Sequence, residues 1–256
     1  SLRFRLLGRI YISLLRLSSG FKNKVFIIAL NLTDLNLIQD YNIKRKCYLV
    51  RESGVDRNDL LLANDKLNKR LIDIKSRPLN VTFFGRFLLE KGIREFSIMA
   101  NLASEIGLNA KFIIAGSTDS NNTSTISIES KLLKNSNIDI FIRPDYSTLF
   151  SNVDVLVFPS FREGQPMYLL RSMCFGVVPI VYAYPGTDID IVDGYNGFVA
   201  KSPSPTSLLA CLLKLDSDRD NLIKMSRNSH DYSLLYKQEN CDDSFITLTQ
   251  SDFIGD

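Results

Sequence analysis

The chain has 256 residues, of which 45% are hydrophobic and 23% charged, and these values exclude an intrinsically disordered protein. Its four cysteines are widely spaced, which is typical of buried thiols in a reducing compartment, and the single histidine, His230, excludes a zinc site of ordinary ligand spacing. The net charge of +3 is unevenly distributed, because residues 1–24 hold six basic residues and no acidic one. The remainder is therefore mildly acidic, and we expect no nucleic-acid partner.

Residues 2–17 place five apolar side chains on one helical face and their arginines elsewhere. Two interpretations stay open: a helix that packs on a neighbouring domain, and a basic amphipathic helix that lies on an anionic membrane surface. No apolar run in the sequence reaches the roughly 18 residues of a transmembrane helix, and the internal arginines disfavour a signal peptide. Because the chain starts without methionine, we expect that the upstream part of a larger protein is missing.

The segment before residue 79 is predicted to form a few short elements. These are a strand at residues 25–30, a helix capped by Thr33 or Asp34 that ends near Tyr41, and a strand at residues 47–50. The polar, lysine-rich residues 58–77 are interpreted as a linker or a loose helix, and Pro78 marks a domain boundary.

After residue 79 the pattern alternates regularly between strands and helices. The predicted strands are residues 81–84, 110–115, 138–142, 153–158 and 177–182. The predicted helices are residues 93–106, 126–134, 147–150, 166–176 and 206–215, with a marginal helix at residues 221–225. Such alternation predicts an α/β fold, a Rossmann-like parallel sheet with helices on both faces. We predict a remnant domain at residues 1–78, the α/β domain at 79–235 and a weakly ordered tail at 236–256.

Residues 158–176, with the sequence FPSFREGQPMYLLRSMCFG, join a buried strand to a helix through a polar loop. Glu163 and Gly164 precede the helix, and Pro166 suits its first turn, where a missing N–H costs nothing. A helix N-terminus presents unpaired N–H groups and a partial positive charge, which favour an anionic ligand. We therefore expect the chemistry of the protein at this loop.

Other loops that follow strands would meet this one, because ligands of open α/β sheets bind at the carboxyl ends of the strands. Arg86 and Lys91 follow the first strand of the domain, Gly116 the second and Arg143 the third. Arginine can bind phosphate oxygens with two parallel hydrogen bonds, whereas lysine acts as a point charge. Taken singly, the two cations could be solvated surface charges and Glu163 a simple helix cap.

The ordered set of motifs is more specific than any one of them. It comprises GRxxxEKG at residues 85–92, IAG at 114–116, FPSxREGxP at 158–166 and GxNGF at 194–198. This series resembles the donor-binding lobe of the family-4 glycosyltransferases, which are retaining enzymes of GT-B fold that use nucleotide-sugar donors. The resemblance covers residues 80–200 well and residues 25–79 more loosely, where it implies the end of the acceptor lobe and the hinge.

The resemblance implies a role for each matched residue. Arg86 and Lys91 would bind the donor diphosphate and neutralise the charge of the leaving nucleotide. Glu163, the predicted catalytic residue, would face the donor sugar or the positive charge that develops at its anomeric carbon. The other predicted donor-binding residues are Gly116, Arg143, Gly164, Gln165 and Arg171.

The chain departs from the family pattern at several positions. Where the family has a second glutamate that binds the donor ribose, this sequence has Arg171, and a cation cannot accept hydrogen bonds from hydroxyl groups. The family's glycine-rich stretch after the IAG strand is here Ser117-Thr118-Asp119, with one glycine rather than two. Asp188 and Asp190 have the spacing of a metal-binding DxD motif, but they follow a Pro-Gly turn, so we predict no metal site. We also predict no cofactor.

The sequence therefore predicts the donor-binding portion of a glycosyltransferase that makes surface polysaccharide, with a nucleotide-sugar and a glycan or lipid-linked acceptor as substrates. It would lie in the cytoplasm, with peripheral contact to the inner face of the membrane through residues 1–24. The alternative is a degenerate, non-catalytic module that binds a nucleotide-sugar or a partner, because of Arg171 and the missing lobe.

Overall fold

The computed structural model describes residues 27–40, 47–49, 54–119, 122–127, 130, 137–188 and 190–238. The chain divides into two units, residues 1–52 with 240–256 and residues 53–239. In the first unit, strand β1 (Ile27–Ala29) pairs in parallel with β2 (Cys47–Leu49), and helix α1 (Leu32–Asp40) lies between them in sequence. Helix α1 begins where Asn31 Oδ1 accepts a 2.8 Å hydrogen bond from the Asp34 N–H, so the cap precedes the two residues predicted for it.

The second unit contains a six-stranded parallel sheet with the order β5-β4-β3-β6-β7-β8. Its strands are β3 (Leu79–Arg86), β4 (Ala110–Ser117), β5 (Ile138–Ile142), β6 (Val155–Phe158), β7 (Val178–Tyr182) and β8 (Phe198–Ala200). The chain builds β3, β4 and β5 in one direction and then crosses back to place β6 on the other side of β3. The order of the strands thus reverses between β3 and β6, which is the place where open α/β sheets bind ligands.

Helices cover both faces of this sheet. They are α2 (Arg57–Leu71), α3 (Ile93–Glu105), α4 (Tyr146–Phe150), α5 (Met167–Cys174), α6 (Pro205–Ser217) and α7 (Arg219–Ser233), with short 3₁₀ turns at Leu89–Lys91 and Leu234–Tyr236. Strand β6 shows why two covered faces are needed. Val155 and Val157 enter the core shared with α3, α6 and α7, whereas Leu156 and Phe158 enter the core shared with α4 and α5. A strand buried on both faces has a continuous run of apolar residues, and this run makes β6 predictable from the sequence.

Two predicted elements differ from the structure. Of the two interpretations of residues 58–77, the helix is confirmed and the linker is wrong, and the helix is not loose because α2 buries Ala63, Leu67 and Leu71. Its Arg70 donates to the carbonyls of Phe150 at 3.2 Å and Gly176 at 2.9 Å. The compact unit therefore begins before the predicted boundary at residue 78.

The helix predicted at residues 221–225 is also longer than expected, because α7 has 15 residues. Its buried face is largely polar: Ser229 Oγ donates to the Val177 carbonyl at 2.8 Å, and His230 Nδ1 lies 2.5 Å from the Cys174 carbonyl oxygen. Strand β8 was not predicted. Most of the helix predicted at residues 126–134 and the predicted tail after residue 238 lie outside the described residues.

A buried ion cluster lies at the amino end of β6. Asp154, fully buried, accepts from Arg77 Nη1 at 2.6 Å and Nη2 at 2.9 Å, and Arg70 Nε lies 3.6 Å from it. Burial lowers the pKa of the Arg70 guanidinium to about 10, while Asp154 opposes that shift. The cluster connects α2 to the sheet.

Candidate active site

The loops at the carboxyl ends of β3, β4, β5 and β6 enclose a cavity of about 490 Å³. Of the predicted site residues, Arg86, Lys91, Gly116, Arg143, Glu163 and Gln165 line it. The wall also includes Phe84, Gly85, Ser117, Pro144, Phe158, Pro166, Met167 and Tyr168. Gly164 and Arg171 are the two predicted residues that do not line this cavity. The volume is in the range of small-molecule sites in proteins.

Close backbone packing holds the loops in place. The Phe161 N–H donates to the Glu90 carbonyl at 3.1 Å, and the Glu163 N–H donates to the Pro185 carbonyl at 3.0 Å. Gly186, with φ of 79°, packs directly on the Glu163 carbonyl, where any side chain would collide with backbone. The position of Glu163 is therefore fixed from both neighbouring loops.

The backbone at the carboxyl end of β4 is also tightly packed. Gly116 has a φ of 145° and packs on the Gly85 carbonyl, so no side chain fits between β3 and β4 at the cavity. Arg143 has a φ of 47°, a left-handed conformation that is uncommon for a residue with a side chain. Its N–H donates to the Gly116 carbonyl at 2.6 Å, which compensates for this conformation. The predicted donor-binding residues Gly116 and Arg143 are thus connected through their backbones.

Lys91 and Glu163 form the closest ion pair of the cavity. Lys91 Nζ lies 2.6 Å from Glu163 Oε1, and the two side chains are 20% and 13% exposed. Both were predicted to face a ligand, and in the structure their opposite charges neutralise each other. The N-terminus of α5, at Pro166, Met167 and Tyr168, forms the adjacent wall and adds partial positive charge.

Arg86 has a carboxylate partner that the sequence did not indicate. Arg86 Nη1 lies 3.0 Å from Asp119 Oδ2, with the two side chains 53% and 30% exposed. Asp119 occurs in the stretch that lacks the family's glycines, and its carbonyl accepts a hydrogen bond from Thr125 Oγ1. Each of these two cations therefore has a carboxylate partner that an anionic ligand would have to replace.

Arg171 points to a different set of groups. Its Nε lies 4.0 Å from Asp59 Oδ2, and its Cζ lies 4.9 Å from the centre of the Tyr146 ring. Asp59 is 2% exposed and accepts from Ser147 Oγ at 2.8 Å and from the Tyr146 hydroxyl at 3.3 Å. Burial is the main reason that the pKa of the Asp59 carboxyl is raised, although these hydrogen bonds oppose the shift. The donor-binding role predicted for Arg171 stays a prediction.

The GxNGF motif has a structural role in the described residues. In the GxNGF motif, the buried Asn196 donates to the Asp190 carbonyl at 3.0 Å and accepts from the Val192 N–H at 2.8 Å, which shapes the turn before β8.

In the part of the chain that the structure describes, no group of three or more His, Cys, Asp or Glu side chains could hold a metal ion. No helix in that part is long and apolar enough to cross a membrane.

The family model for glycosyl transferases group 1 matches residues 64–231, and the chain belongs to this family. The predicted resemblance to the glycosyltransferases is therefore confirmed, whereas family 4 and retention of configuration stay predictions. A curated relative from Campylobacter jejuni, N,N'-diacetylbacillosaminyl-diphospho-undecaprenol alpha-1,3-N-acetylgalactosaminyltransferase, is 25% identical over 88% of this chain and 60% of its own length. The capsular polysaccharide biosynthesis glycosyltransferase CapM of Staphylococcus aureus is 24% identical over 65% of this chain and 44% of its own length. The chain thus spans roughly half the length of these curated relatives.

Comparison with solved structures confirms the fold class. HepE of Anabaena, solved in complex with UDP and glucose, superposes with a TM-score of 0.73 over 94% of this chain and 67% of that protein, at 15% identity. An identity this low shows the fold alone. The parallel sheet with helices on both faces is therefore that of the GT-B glycosyltransferases, as the sequence predicted.

Proposed function

We propose that this chain is the donor-binding portion of a glycosyltransferase that transfers a sugar from a nucleotide-sugar to a glycan or lipid-linked acceptor with retention of configuration. One observation carries the proposal: the cavity at the point where the strand order reverses contains Arg86, Lys91 and Glu163 together with the N-terminus of α5. Two cations, one carboxylate and a helix N-terminus are suited to a sugar diphosphate, which is anionic at one end and rich in hydroxyl groups at the other.

In the proposed reaction, the bond between the anomeric carbon and the phosphate oxygen breaks, and its electron pair leaves with the nucleoside diphosphate. Arg86 and Lys91 neutralise the negative charge that grows on the leaving group. Glu163 interacts with the positive charge that develops on the sugar. The acceptor hydroxyl then forms the new bond on the same face of the sugar, and its proton passes to an oxygen of the departing diphosphate. The acceptor would enter from outside the described cavity.

Binding of the donor requires an exchange of partners. The Lys91–Glu163 pair at 2.6 Å and the Arg86–Asp119 pair at 3.0 Å must each release or share a cation with phosphate. Once Lys91 turns to the diphosphate, Glu163 becomes available to the sugar. The donor would thus prepare the carboxylate that acts on it.

The names of the relatives support the acceptor class. That of the Campylobacter jejuni relative contains a diphospho-undecaprenol acceptor, and CapM is named for capsular polysaccharide biosynthesis. HepE was also solved in complex with UDP-glucose. We infer a lipid-linked acceptor at the inner face of the membrane, with peripheral contact through residues 1–24, which lie outside the described residues. Vesicle co-sedimentation of the chain should fall when Arg3, Arg5 and Arg9 are changed to glutamate; unchanged co-sedimentation would argue against this contact.

A non-catalytic nucleotide-sugar-binding module is the second candidate. The observation in its favour is Arg171, which faces Asp59 and does not line the cavity. The glutamate that the family has at this position, which would bind the donor ribose, is therefore absent. This candidate also predicts nucleotide binding, but no sugar transfer by the full-length protein.

Calorimetric titration of the chain with UDP and GDP tests the proposal. We expect micromolar binding of one nucleotide, weakened at least tenfold by Arg86→Ala, because a charge-assisted hydrogen bond contributes about 1.5–3 kcal/mol. Arg227→Ala, an exposed arginine on α7, is the matched control and should bind like the wild type. A folded wild-type chain that binds neither nucleotide, or equal binding by Arg86→Ala, would contradict the proposed function.

A further inference from the structure

Tyr168 presents an aromatic ring to the cavity that the proposed reaction does not use. It occupies the first turn of α5, is 39% exposed and lines the cavity. Its ring packs on Phe84, with centroids 4.7 Å apart at 58°, and on Tyr146, with centroids 5.7 Å apart at 66°. Among the described residues its hydroxyl makes no hydrogen bond. Phe84 and Tyr168 thus form an apolar wall in a cavity that also holds Arg86 and Lys91.

Tyr146 is in turn fixed by charged groups behind this wall. The Arg171 guanidinium lies over the Tyr146 ring at 4.9 Å, and the Tyr146 hydroxyl donates to Asp59 at 3.3 Å. Ser147 holds the other carboxylate oxygen of Asp59 at 2.8 Å. Arg171 Nε is buried without a hydrogen-bond partner, and Asp59, 4.0 Å away, is the carboxylate that it faces. Asp59 therefore connects α2, α4 and α5 behind the aromatic wall.

We propose that Tyr168 binds the nucleoside end of the donor by ring stacking, and that the Asp59–Arg171 pair positions Tyr168 through Tyr146. The inference rests on the proposed function. A nucleotide joins a flat aromatic base to a diphosphate, and the cavity offers an aromatic ring together with two cations. Base–aromatic stacking tolerates different bases, so Tyr168 would add affinity without choosing between uracil and guanine.

In this proposal Arg171 is a positioning residue that does not touch the ligand, which replaces the direct donor contact predicted from the sequence. Its planar guanidinium can stack on a tyrosine ring and stay charged while partly buried, which a glutamate cannot do. A glutamate at position 171 would place a second carboxylate against Asp59, in surroundings that already raise the pKa of the Asp59 carboxyl. Installing the family's residue at this position alone should therefore weaken binding rather than improve it.

Titrations with UDP and with inorganic pyrophosphate test the ring contact. Tyr168→Ala should weaken UDP binding about tenfold and leave pyrophosphate binding unchanged, because only UDP has a base to stack. Tyr168→Phe keeps the ring and should stay within about twofold of the wild type. Tyr195→Ala, an exposed tyrosine that does not line the cavity, is the matched control. Unchanged UDP affinity in Tyr168→Ala, or an equal loss for both ligands, would overturn the ring contact.

A double-mutant cycle tests the positioning pair. Arg171→Glu should weaken UDP binding about fivefold but not pyrophosphate binding, and adding Asp59→Asn should restore most of that loss by removing the like charge. Should Arg171→Glu not fold, Arg171→Gln takes its place and should show the same split between the two ligands. Additive losses, or equal losses for both ligands, would overturn the role of the pair.

These outcomes separate the inference from the proposed function. A wild-type chain that binds neither UDP nor GDP contradicts the proposed function, and the inference fails with it. UDP binding that is weakened by Arg86→Ala but unchanged by the substitutions at Tyr168 and Arg171 contradicts the inference alone.

Discussion

The two ends of the central sheet use ionic groups in opposite ways. At the amino end, Asp154 is fully buried and is shared by Arg70 and Arg77. At the carboxyl end, Lys91 pairs with Glu163 and Arg86 pairs with Asp119, and Lys91, Glu163 and Arg86 lie in the wall of the cavity. The first cluster has no room for another ligand, whereas the second can exchange its partners. We infer that the ion cluster at the amino end of the sheet stabilises the fold, whereas the ion pairs at the carboxyl end serve the proposed binding.

Breaking the amino-end cluster should produce the largest change. Asp154→Ala leaves the fully buried Arg70 without a carboxylate and Arg77 with only the exposed Asp73, and should lower the free energy of unfolding by about 3–5 kcal/mol. Urea denaturation measures this effect. Asp65→Ala, which removes an exposed pair with Lys69, should change the free energy by no more than about 0.5 kcal/mol. Similar losses in both variants would contradict the structural role of the Asp154 cluster.

At the carboxyl end, removal of a cation should affect binding more than stability. Lys91→Ala should weaken UDP binding by about 2 kcal/mol, roughly thirtyfold, because a charge-assisted hydrogen bond to phosphate is lost. The free energy of unfolding should fall by about 1 kcal/mol or less, because the remaining Glu163 carboxylate lines a cavity that solvent can enter. Calorimetry and urea denaturation of the same sample test both halves, with Lys69→Ala as the matched control on α2. A loss of stability as large as that of Asp154→Ala would remove the contrast between the two ends.

The carboxylate of the carboxyl-end pair should distinguish the sugar from the nucleotide. Glu163→Gln should reduce the affinity for UDP-sugar relative to that for UDP by about fivefold, because a charged acceptor for the sugar hydroxyls is lost. Binding of UDP alone should be equal or slightly stronger, since Lys91 no longer has a competing anion. Parallel titrations with UDP and UDP-glucose give this ratio, and Glu105→Gln on the exposed end of α3 is the control. A loss confined to UDP would contradict the predicted role of Glu163.

Much of this arrangement could be predicted from the sequence. Strands β3, β6 and β7 are recognisable because they are buried on both faces, and the glycine-bounded loops that follow strands identify the cavity. Six predicted residues, from Arg86 to Gln165, meet there because the carboxyl ends of parallel strands share one edge of the sheet.

The remaining features depend on contacts between distant residues. Helix α7 buries serines and His230 by hydrogen bonding to backbone carbonyls, so its sequence lacks an apolar stripe. Helix α2 was interpreted as a linker or a loose helix because its sequence is polar and lysine-rich, and two of its buried residues, Asp59 and Arg70, are charged. Their partners lie far along the chain, at Asp154 and Arg171, and no local pattern indicates such pairs.

The smallest expected effect concerns Asp59, a buried carboxyl near the carboxyl-end cavity. Burial raises the pKa of Asp59 above its ordinary value of 3.8. The folded state therefore binds this proton more tightly than the unfolded state, and the resulting stabilisation is complete below pH 3.8 and disappears as the pH rises through the folded pKa. The stability of Asp59→Asn relative to the wild type should accordingly increase between pH 4 and pH 7 in urea denaturation. A decrease over that range would mean that Arg171 and the hydrogen bonds outweigh burial.

A crystal structure of the chain with a bound UDP-sugar tests the central claim most directly. We predict the diphosphate within hydrogen-bond distance of Arg86 and Lys91, the sugar beside Glu163, and the Lys91–Glu163 and Arg86–Asp119 pairs opened or shared with phosphate. The Asp154 cluster at the other end of the sheet should be unchanged. A nucleotide bound elsewhere, or bound in this cavity with both ion pairs intact, would contradict the proposed exchange of partners.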